Sequence, residues 1–134
     1  MIQYTTQQPT QAQATALYTA VGWKAYTQDM PSLMQALQHS VLITAWAEDD
    51  LVGLIRGVTD GHSILYIQDL LVLPAYQRQG IATRLMQQLR SAYPTGQTVL
   101  LTDDKAATKR FYTSVGMKDV DAHQLRAFFD DTRQ

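Results

Sequence analysis

The stretch that most constrains the fold is an apolar strand that runs through a proline and a polar loop into a helix. Residues 64–73 are apolar enough for a central strand, and Pro74, a polar loop and Gly80 follow. The apolar positions of the helix recur at helical spacing: Ile81, Leu85, Met86 and Leu89. Residues 98–101 form the next apolar strand, so this segment predicts a right-handed parallel crossover and an α/β (α+β) fold class.

The loop before this helix is a candidate anion site. The first N–H groups of a helix have no partner inside it and lie at the positive end of its dipole, where they can hold a phosphate. Gly80 lets the backbone approach an anion without a Cβ, and Arg78 adds a permanent positive charge. An ordinary strand-to-helix connection is the alternative. The chain contains neither a G-x-G-x-x-G nor a G-x-x-x-x-G-K-[ST] motif.

Composition narrows the function classes. A chain of 134 residues predicts one domain, and the absence of cysteine excludes disulfides, thiolate metal sites and a thiol nucleophile. A net charge of -1 makes nucleic acid a poor partner. No apolar run reaches the roughly 18 residues that a membrane span needs, and the N-terminus lacks the pattern of a secretory signal. We expect a cytoplasmic protein without a metal or a membrane partner.

Periodicity and turn signals predict a sheet flanked by helices. The strands are expected at residues 2–6, 41–47, 51–58, 64–73 and 98–101, with closing strands at Val120 and residues 125–129. A first helix is expected from Pro9–Thr10 to Gly22, and a second helix is expected to start at Met30–Pro31. Two further helices are expected, one from Gly80 to about Ala92 and one from a cap at Thr102 or Asp103 to Gly116.

Two motifs carry a family resemblance. Gln77-x-x-Gly80-x-Ala82, directly after Leu-Val-Leu-Pro, resembles the acetyl-coenzyme A pyrophosphate loop of the GNAT superfamily of N-acetyltransferases, Q/R-x-x-G-x-G/A. Residues 107–117 resemble that family's A-x-x-x-F-Y-x-x-x-G-F segment, with Met117 in place of Phe. The element order resembles the GNAT fold from end to end. The resemblance implies one acetyltransferase domain over residues 1–134, with a central mixed, mostly antiparallel sheet, a parallel β-α-β cofactor unit and flanking helices.

A narrower likeness is to small bacterial GNAT proteins and to plant and cyanobacterial serotonin N-acetyltransferases. The family resemblance implies acetyl-CoA as co-substrate. The residues that would hold it are Leu71, Val72, Leu73, Gln77, Arg78, Gln79, Gly80, Ile81, Ala82 and Thr83. The first three are expected to bond the pantetheine arm through their backbone, and the others form the pyrophosphate loop.

Three residues are candidates for the proton transfers of amine acetylation: Asp69, His62 and Tyr112. Asp69, on the predicted central strand, is expected to take the ammonium proton directly or through water. Alternatively, it hydrogen-bonds a neighbouring loop or attracts a cationic substrate. His62 is a second candidate base, but its turn position favours simple exposure. The resemblance implies that Tyr112 protonates the leaving thiolate, whereas packing beside Phe111 is the alternative.

The acceptor site is expected to involve Trp23, Tyr26, Asp29 and Tyr76. Each of these residues also has an alternative role. Aromatic residues such as Trp23 and Tyr26 more often belong to the core. Asp29 can instead cap the helix at Pro31, and Tyr76 can merely cover the acceptor cleft. Without cysteine, direct attack of the amine in a ternary complex is the simplest mechanism. We therefore predict acetyl transfer to the primary amine of a small molecule. The alternatives are a protein or peptide N-acetyltransferase and a non-catalytic acyl-CoA sensor, and edge strands at the C-terminal end suggest a homodimer.

Overall fold

The computed structural model describes residues 1–133, and the chain divides into two compact units, Met1–Leu100 and a second from Leu101 onward. The first unit contains five strands and four helices: β1 (Ile2–Thr5), α1 (Gln11–Ala20), α2 (Lys24–Thr27), α3 (Met30–Gln38), β2 (Val41–Ala47), β3 (Asp50–Thr59), β4 (Ile64–Val72), α4 (Ile81–Ala92) and β5 (Gln97–Leu100). A 3-10 turn, Pro74–Tyr76, precedes α4. The second unit contains α5 (Ala106–Ser114) and a 3-10 turn, Val120–His123.

The sheet follows the order of the chain, β1-β2-β3-β4-β5. The first four strands pair antiparallel, and β4 pairs parallel with β5 across the α4 connection. This mixed, mostly antiparallel sheet with one parallel β-α-β unit and flanking helices confirms the predicted fold class.

The two faces of the sheet are covered by different helices. On β3, Leu54 lies in a core cluster with buried residues of α1 and α3. A Cβ at its neighbour Gly53 would lie 3.2 Å from Ile81 and 3.3 Å from Leu85, both on α4. Because successive side chains of a strand point to opposite faces, α1 and α3 cover one face and α4 covers the other.

The ends of α1 follow from local sequence. Thr10 and Gln13 form a capping box, in which each side chain accepts the backbone N–H of the other, at 3.2 and 2.9 Å. At the other end Gly22 adopts a φ of +79°, and the Trp23 N–H donates to the Tyr18 carbonyl at 3.1 Å. A left-handed residue after a helix favours glycine, so the predicted end at Gly22 is confirmed. The short helix α2 was not predicted.

Strand β4 has unequal neighbours along its length. Its pairing with β3 continues to Val72, whereas its pairing with β5 ends at Ile67 and Leu100. The β3–β4 register also shifts, because Arg56 lies opposite Asp69 but the next residue, Gly57, lies opposite Ile67. Gln68 is thus the extra residue of a β-bulge. Beyond the bulge, no strand among residues 1–133 pairs with the outer edge of β4.

The start of helix α5 in the second unit differs from the prediction. Helix α5 begins after Lys105, not at a cap formed by Thr102 or Asp103, because the Asp103 side chain accepts the Lys105 N–H at 3.2 Å and forms a turn before the helix. The helix ends at Ser114, before Gly116, close to the predicted end.

The predicted closing strands are wrong. Val120 begins a 3-10 turn, because the Asp119 side chain accepts the Asp121 N–H at 3.0 Å and starts the turn there. Residues 125–129 form neither a helix nor a strand, and Leu125, Phe128 and Phe129 are exposed. Apolar and β-prone residues form a strand only where a neighbouring strand accepts their backbone bonds. The homodimer stays a prediction, without the C-terminal strands that suggested it.

Within residues 1–133, no helix has the length and apolar character required to cross a membrane. The same residues contain no group of three or more His, Cys, Asp or Glu side chains arranged to hold a metal ion.

Candidate functional site

The loop between β4 and α4 leaves the first turn of the helix open. The first intrahelical bond runs from the Arg84 N–H to the Gly80 carbonyl at 3.0 Å, and no side chain of the described residues caps this turn. The N–H groups of Ile81, Ala82 and Thr83 therefore lie at the positive end of a 12-residue helix.

Gly80 takes a φ of +83°, and a Cβ built there meets no atom within 4 Å. The glycine is therefore required for its backbone conformation and for the open space in front of the helix, not to avoid a clash within the protein. Arg78 is also left-handed, with a φ of +63°, and is exposed. The Gln77 amide donates to the Val72 carbonyl at 3.2 Å and ties the loop to the end of β4. The result is an open cradle suited to a phosphate.

The strand that leads into this loop offers a second feature for a ligand. The backbone of Leu73 is bonded on one side, where its N–H donates to the Val52 carbonyl at 2.8 Å. On the other side β4 has diverged from β5. An extended, amide-containing ligand arm can add to such an edge as a further strand does. Leu71, Val72 and Leu73 lie at this edge, and their role in bonding the pantetheine arm stays a prediction.

Asp69 lies at the centre of a buried polar cluster, which we call the Asp69 cluster: Asp69, Arg56, Tyr18 and Tyr26. One carboxylate oxygen accepts the Arg56 Nε–H at 2.6 Å and the Tyr18 hydroxyl at 2.9 Å. The other accepts the Tyr26 hydroxyl at 2.8 Å. Asp69 is 1% exposed and Arg56 6%. A buried charge of this kind needs a partner and hydrogen bonds, and the cluster provides both.

Arg56 holds this cluster together from β3. Besides Asp69, its guanidinium donates to the Ser40 hydroxyl at 3.2 Å and to the Tyr26 hydroxyl at 3.1 Å. Burial alone would lower the pKa of Arg56, but the Asp69 carboxylate and its hydrogen bond outweigh burial and raise this pKa. The guanidinium is therefore a permanent positive charge beside Asp69.

Both tyrosines of the cluster stay neutral at physiological pH. Burial raises the pKa of Tyr18, and the neighbouring Asp69 charge raises it further. Burial and the same carboxylate also raise the pKa of Tyr26. Each phenol therefore stays protonated and donates a hydrogen bond to Asp69. The two residues differ in exposure: Tyr18 is 0% exposed and belongs to the core, whereas Tyr26 is only partly buried.

The end of α1 sets the position of the aromatic residues. The left-handed turn at Gly22 brings Trp23 back onto Tyr18, with ring centroids 5.9 Å apart in an edge-to-face arrangement. Tyr26 also meets Tyr18 edge to face at 5.3 Å, and Trp23 lies 6.2 Å from Tyr26. Trp23 and Tyr26 pack against the core cluster and keep part of their surface exposed. The structure thus brings two predicted acceptor residues together with Asp69.

The other predicted site residues lie in separate surroundings. Asp29 caps α3 by accepting the Ser32 N–H at 3.2 Å. Tyr76 is partly buried in the 3-10 turn before the loop. His62 is exposed in a turn in which Asp60 accepts its N–H at 2.9 Å. Asp29 therefore has the capping contact that the sequence offered as the alternative to substrate binding.

Tyr112 belongs to the second unit, on α5. Its ring meets Phe111 edge to face at 5.0 Å and is partly buried. Burial and the negative charge of Asp103 raise the pKa of Tyr112, and together they outweigh the Thr102 hydrogen bond, which lowers it. The hydroxyl is therefore protonated at neutral pH.

Sequence reasoning missed Arg56, Tyr18 and Gln68. Arg56 had a usable signal, because it is the one charged residue in the otherwise apolar run at residues 51–58, and a charge in a buried strand requires a partner. Tyr18 had none, since a buried aromatic residue on a helix predicts core. The contact of Gln68 depends on the bulge, which shifts this residue relative to β3. No turn residue in the sequence indicates the bulge.

The chain matches one protein family over almost its whole length: residues 5–133 match the family described as acetyltransferase (GNAT) domain. Among solved structures, an acetyltransferase of the GNAT family from Streptococcus pneumoniae is 36% identical, with 100% of both chains covered and a TM-score of 0.87. A protein from Staphylococcus aureus, described as a probable acetyltransferase, is 19% identical, with 98% of this chain and 100% of that chain covered and a TM-score of 0.80.

A more distant solved structure is the aminoglycoside acetyltransferase AAC(6')-Iy, in complex with a bisubstrate analogue of CoA and acetylneamine. It is 15% identical, with 100% of this chain and 99% of that chain covered and a TM-score of 0.68, and this likeness shows the fold alone. No curated protein matches the chain. The family match and the related acetyltransferase structures show that this chain belongs to the GNAT family and is an acetyl-CoA-dependent N-acetyltransferase.

Proposed function

We propose that this enzyme transfers the acetyl group of acetyl-CoA to the primary amine of a small molecule. The observation that carries the proposal is the Asp69 cluster, whose central carboxylate lies on the strand that continues into the candidate anion loop. A carboxylate and a partly exposed phenol suit an ammonium substrate, and Trp23 beside them adds an apolar surface. The aminoglycoside acetyltransferases among the fold relatives, whose substrates are small amines, support this choice.

The residues of the loop fit acetyl-CoA. The N–H groups of Ile81, Ala82 and Thr83 would hold the pyrophosphate, with the space in front of Gly80 for its oxygens and the charge of Arg78 nearby. Gln77 and Gln79 fix the loop through their bonds to the Val72 and Ala75 carbonyls, at 3.2 and 3.5 Å. The edge formed by Leu71, Val72 and Leu73 would bond the pantetheine arm. Acetyl-CoA supplies the thioester.

The amine must lose a proton before it attacks. In this proposal Asp69 is the proton acceptor for the ammonium group. The amine nitrogen then forms a bond to the thioester carbonyl carbon, and the carbon–sulfur bond breaks. Because the chain has no cysteine, no acetyl-cysteine intermediate forms, and the amine attacks directly in a ternary complex.

Tyr112 is proposed to protonate the leaving thiolate. Its raised pKa keeps the hydroxyl protonated at neutral pH. The proton that the nitrogen gives up on becoming an amide restores the phenol, so the reaction releases one proton for each ammonium consumed. Asp29 and Tyr76 remain proposed acceptor-side residues, and Asp29 has a capping contact to give up before it could bind a cation.

The experiment is release of CoA from acetyl-CoA in the presence of a panel of arylalkylamines, polyamines, aminoglycosides and amino acids. A lysine-containing peptide and acetyl-CoA alone complete the panel. The proposal expects release that depends on a small amine, together with the N-acetylated amine by mass spectrometry. Acetylation of the peptide alone would contradict the small-molecule acceptor. Tight binding of acetyl-CoA without turnover would instead favour the sensor.

A further inference from the structure

The β-bulge of β4 directs two successive side chains at one tyrosine. Gln68 and Asp69 are adjacent, and in a regular strand they would point to opposite faces. With Gln68 as the extra residue, both reach Tyr26: the Gln68 amide donates to the Tyr26 oxygen at 3.0 Å, and the Tyr26 hydroxyl donates to Asp69 at 2.8 Å. Bulges often re-aim a side chain next to an active site.

Exposure increases along this chain of hydrogen bonds. Asp69 is 1% exposed, Tyr26 is partly buried and Gln68 is exposed. The other two groups bonded to Asp69, Arg56 and Tyr18, are buried. A substrate proton that is to reach the Asp69 carboxylate therefore has its path through the Tyr26 hydroxyl.

The Gln68 amide presents to Tyr26 the same kind of group that a substrate would. It is an N–H donor directed at the phenolic oxygen from the solvent side, and an ammonium group is a stronger N–H donor of similar reach. An exposed amide hydrogen bond contributes little net free energy, so a charged donor can replace it.

We propose that the acceptor ammonium binds the Tyr26 hydroxyl oxygen in place of the Gln68 amide, and that Tyr26 relays its proton to Asp69. This inference rests on the proposed function and assigns the docking point of its amine. One proton passes from the ammonium nitrogen to the Tyr26 oxygen as the Tyr26 proton passes to the Asp69 carboxylate. The ammonium becomes a neutral amine, the carboxylate becomes a carboxylic acid, and the phenol is unchanged.

The surroundings of Tyr26 suit this role. Among residues 1–133, the charged and titratable groups that face it include Tyr18 of α1, Arg56 of β3 and Asp69 of β4. Arg56 donates to the Tyr26 oxygen at 3.1 Å and thereby orients the hydroxyl, so Arg56 is a positioning residue. Burial and the Asp69 charge raise the pKa of Tyr26, so the phenol carries the proton that the relay hands on.

The chain offers a matched pair of variants. Tyr26→Phe and Tyr18→Phe each remove one hydroxyl bonded to the same carboxylate, but only Tyr26 reaches solvent. For an amine that the wild-type enzyme acetylates, we expect Tyr26→Phe to lower kcat at neutral pH by about 10²-fold. The rate should recover at high pH, where free amine needs no relay. Tyr18→Phe should lower Tm, and it should lower kcat at neutral pH by less than Tyr26→Phe does, because its hydroxyl is buried away from the solvent side.

Gln68→Ala provides an independent readout that does not depend on the tyrosines. Without the amide that occupies Tyr26, KM for the amine should fall, by up to about tenfold, the factor of one exposed hydrogen bond. A rise in KM would mean that Gln68 binds or orients the substrate, and would overturn the replacement. Circular dichroism and Tm of each variant verify that the compared proteins are folded.

Two results would refute the relay: wild-type kcat in Tyr26→Phe across the pH range, or equal losses with equal pH profiles in Tyr26→Phe and Tyr18→Phe. Neither result touches the proposed function, because in both cases the wild-type enzyme still acetylates the amine. If instead the wild type acetylates no small amine, the proposed function itself fails, and the variants are not needed to show it.

Discussion

Replacing Arg56 by methionine tests whether the buried ion pair organises the site. Methionine keeps much of the side-chain volume and removes the charge, so Asp69 is left buried without a counter-charge. Removing one partner of a buried ion pair costs about 3–5 kcal/mol, and both residues here are almost inaccessible, at 6% and 1% exposed. A domain of this size has a total stability of about 5–15 kcal/mol, so the variant should lose a large fraction of it.

Urea unfolding followed by circular dichroism measures the loss of free energy, and thermal unfolding measures Tm. At roughly 4 °C per kcal/mol for a chain of 134 residues, Tm should fall by about 12–20 °C. The double variant Arg56→Met/Asp69→Asn should be more stable than Arg56→Met alone, because a neutral amide needs no counter-charge. Lys109→Met is the matched control, since Lys109 and Asp104 form an exposed pair at 2.7 Å, and its midpoint should not change measurably. A loss below about 1 kcal/mol in Arg56→Met would mean that the buried ion pair does not organise the site.

Three further predictions concern single residues. Gly80→Val should abolish acetyl-CoA binding in calorimetry, because its methyl groups enter the open space before α4 and a φ of +83° disfavours a branched side chain. Wild-type affinity in this variant would show that the loop does not bind acetyl-CoA. Tyr112→Phe should lower kcat by about 10²-fold with KM for acetyl-CoA unchanged, and an unchanged kcat at every pH would reduce Tyr112 to packing. Burial raises the pKa of Tyr18 above its usual value, so the contribution of its neutral phenol to stability is fully present below pH ~10 and is lost as the pH rises further. Tyr18→Phe should therefore flatten the fall in Tm at alkaline pH. An equal fall in the variant and the wild type would contradict this role of Tyr18.

The sequence predicted the sheet and its helices well where local chemistry determines the structure. The capping box at Thr10, the left-handed turn at Gly22 and the strand–loop–helix passage to Gly80 are each set by a few neighbouring residues. The closing strands failed for the opposite reason, because residues 125–129 need a neighbouring strand to form one. An apolar sequence pattern alone does not supply that neighbouring strand.

The candidate site was predictable only in part. Asp69 and Tyr26 were each expected at a site, but their contact joins α2 to β4 and has no signature in either segment. The pairing of Arg56 with Asp69 depends on the β3–β4 register, and the bulge at Gln68 changes that register by one residue. A shift of one residue moves side chains between faces, so the polar cluster could be assembled only from the folded chain.

Direct transfer to a small amine is tested by product analysis of the wild-type enzyme with acetyl-CoA and the best amine of the panel. We expect one N-acetylated amine for each CoA released, with no acetyl group on the protein at any time point by intact mass. CoA release without an acetylated amine, or an acetylated protein that forms and decays at the rate of turnover, would contradict direct transfer to a small amine.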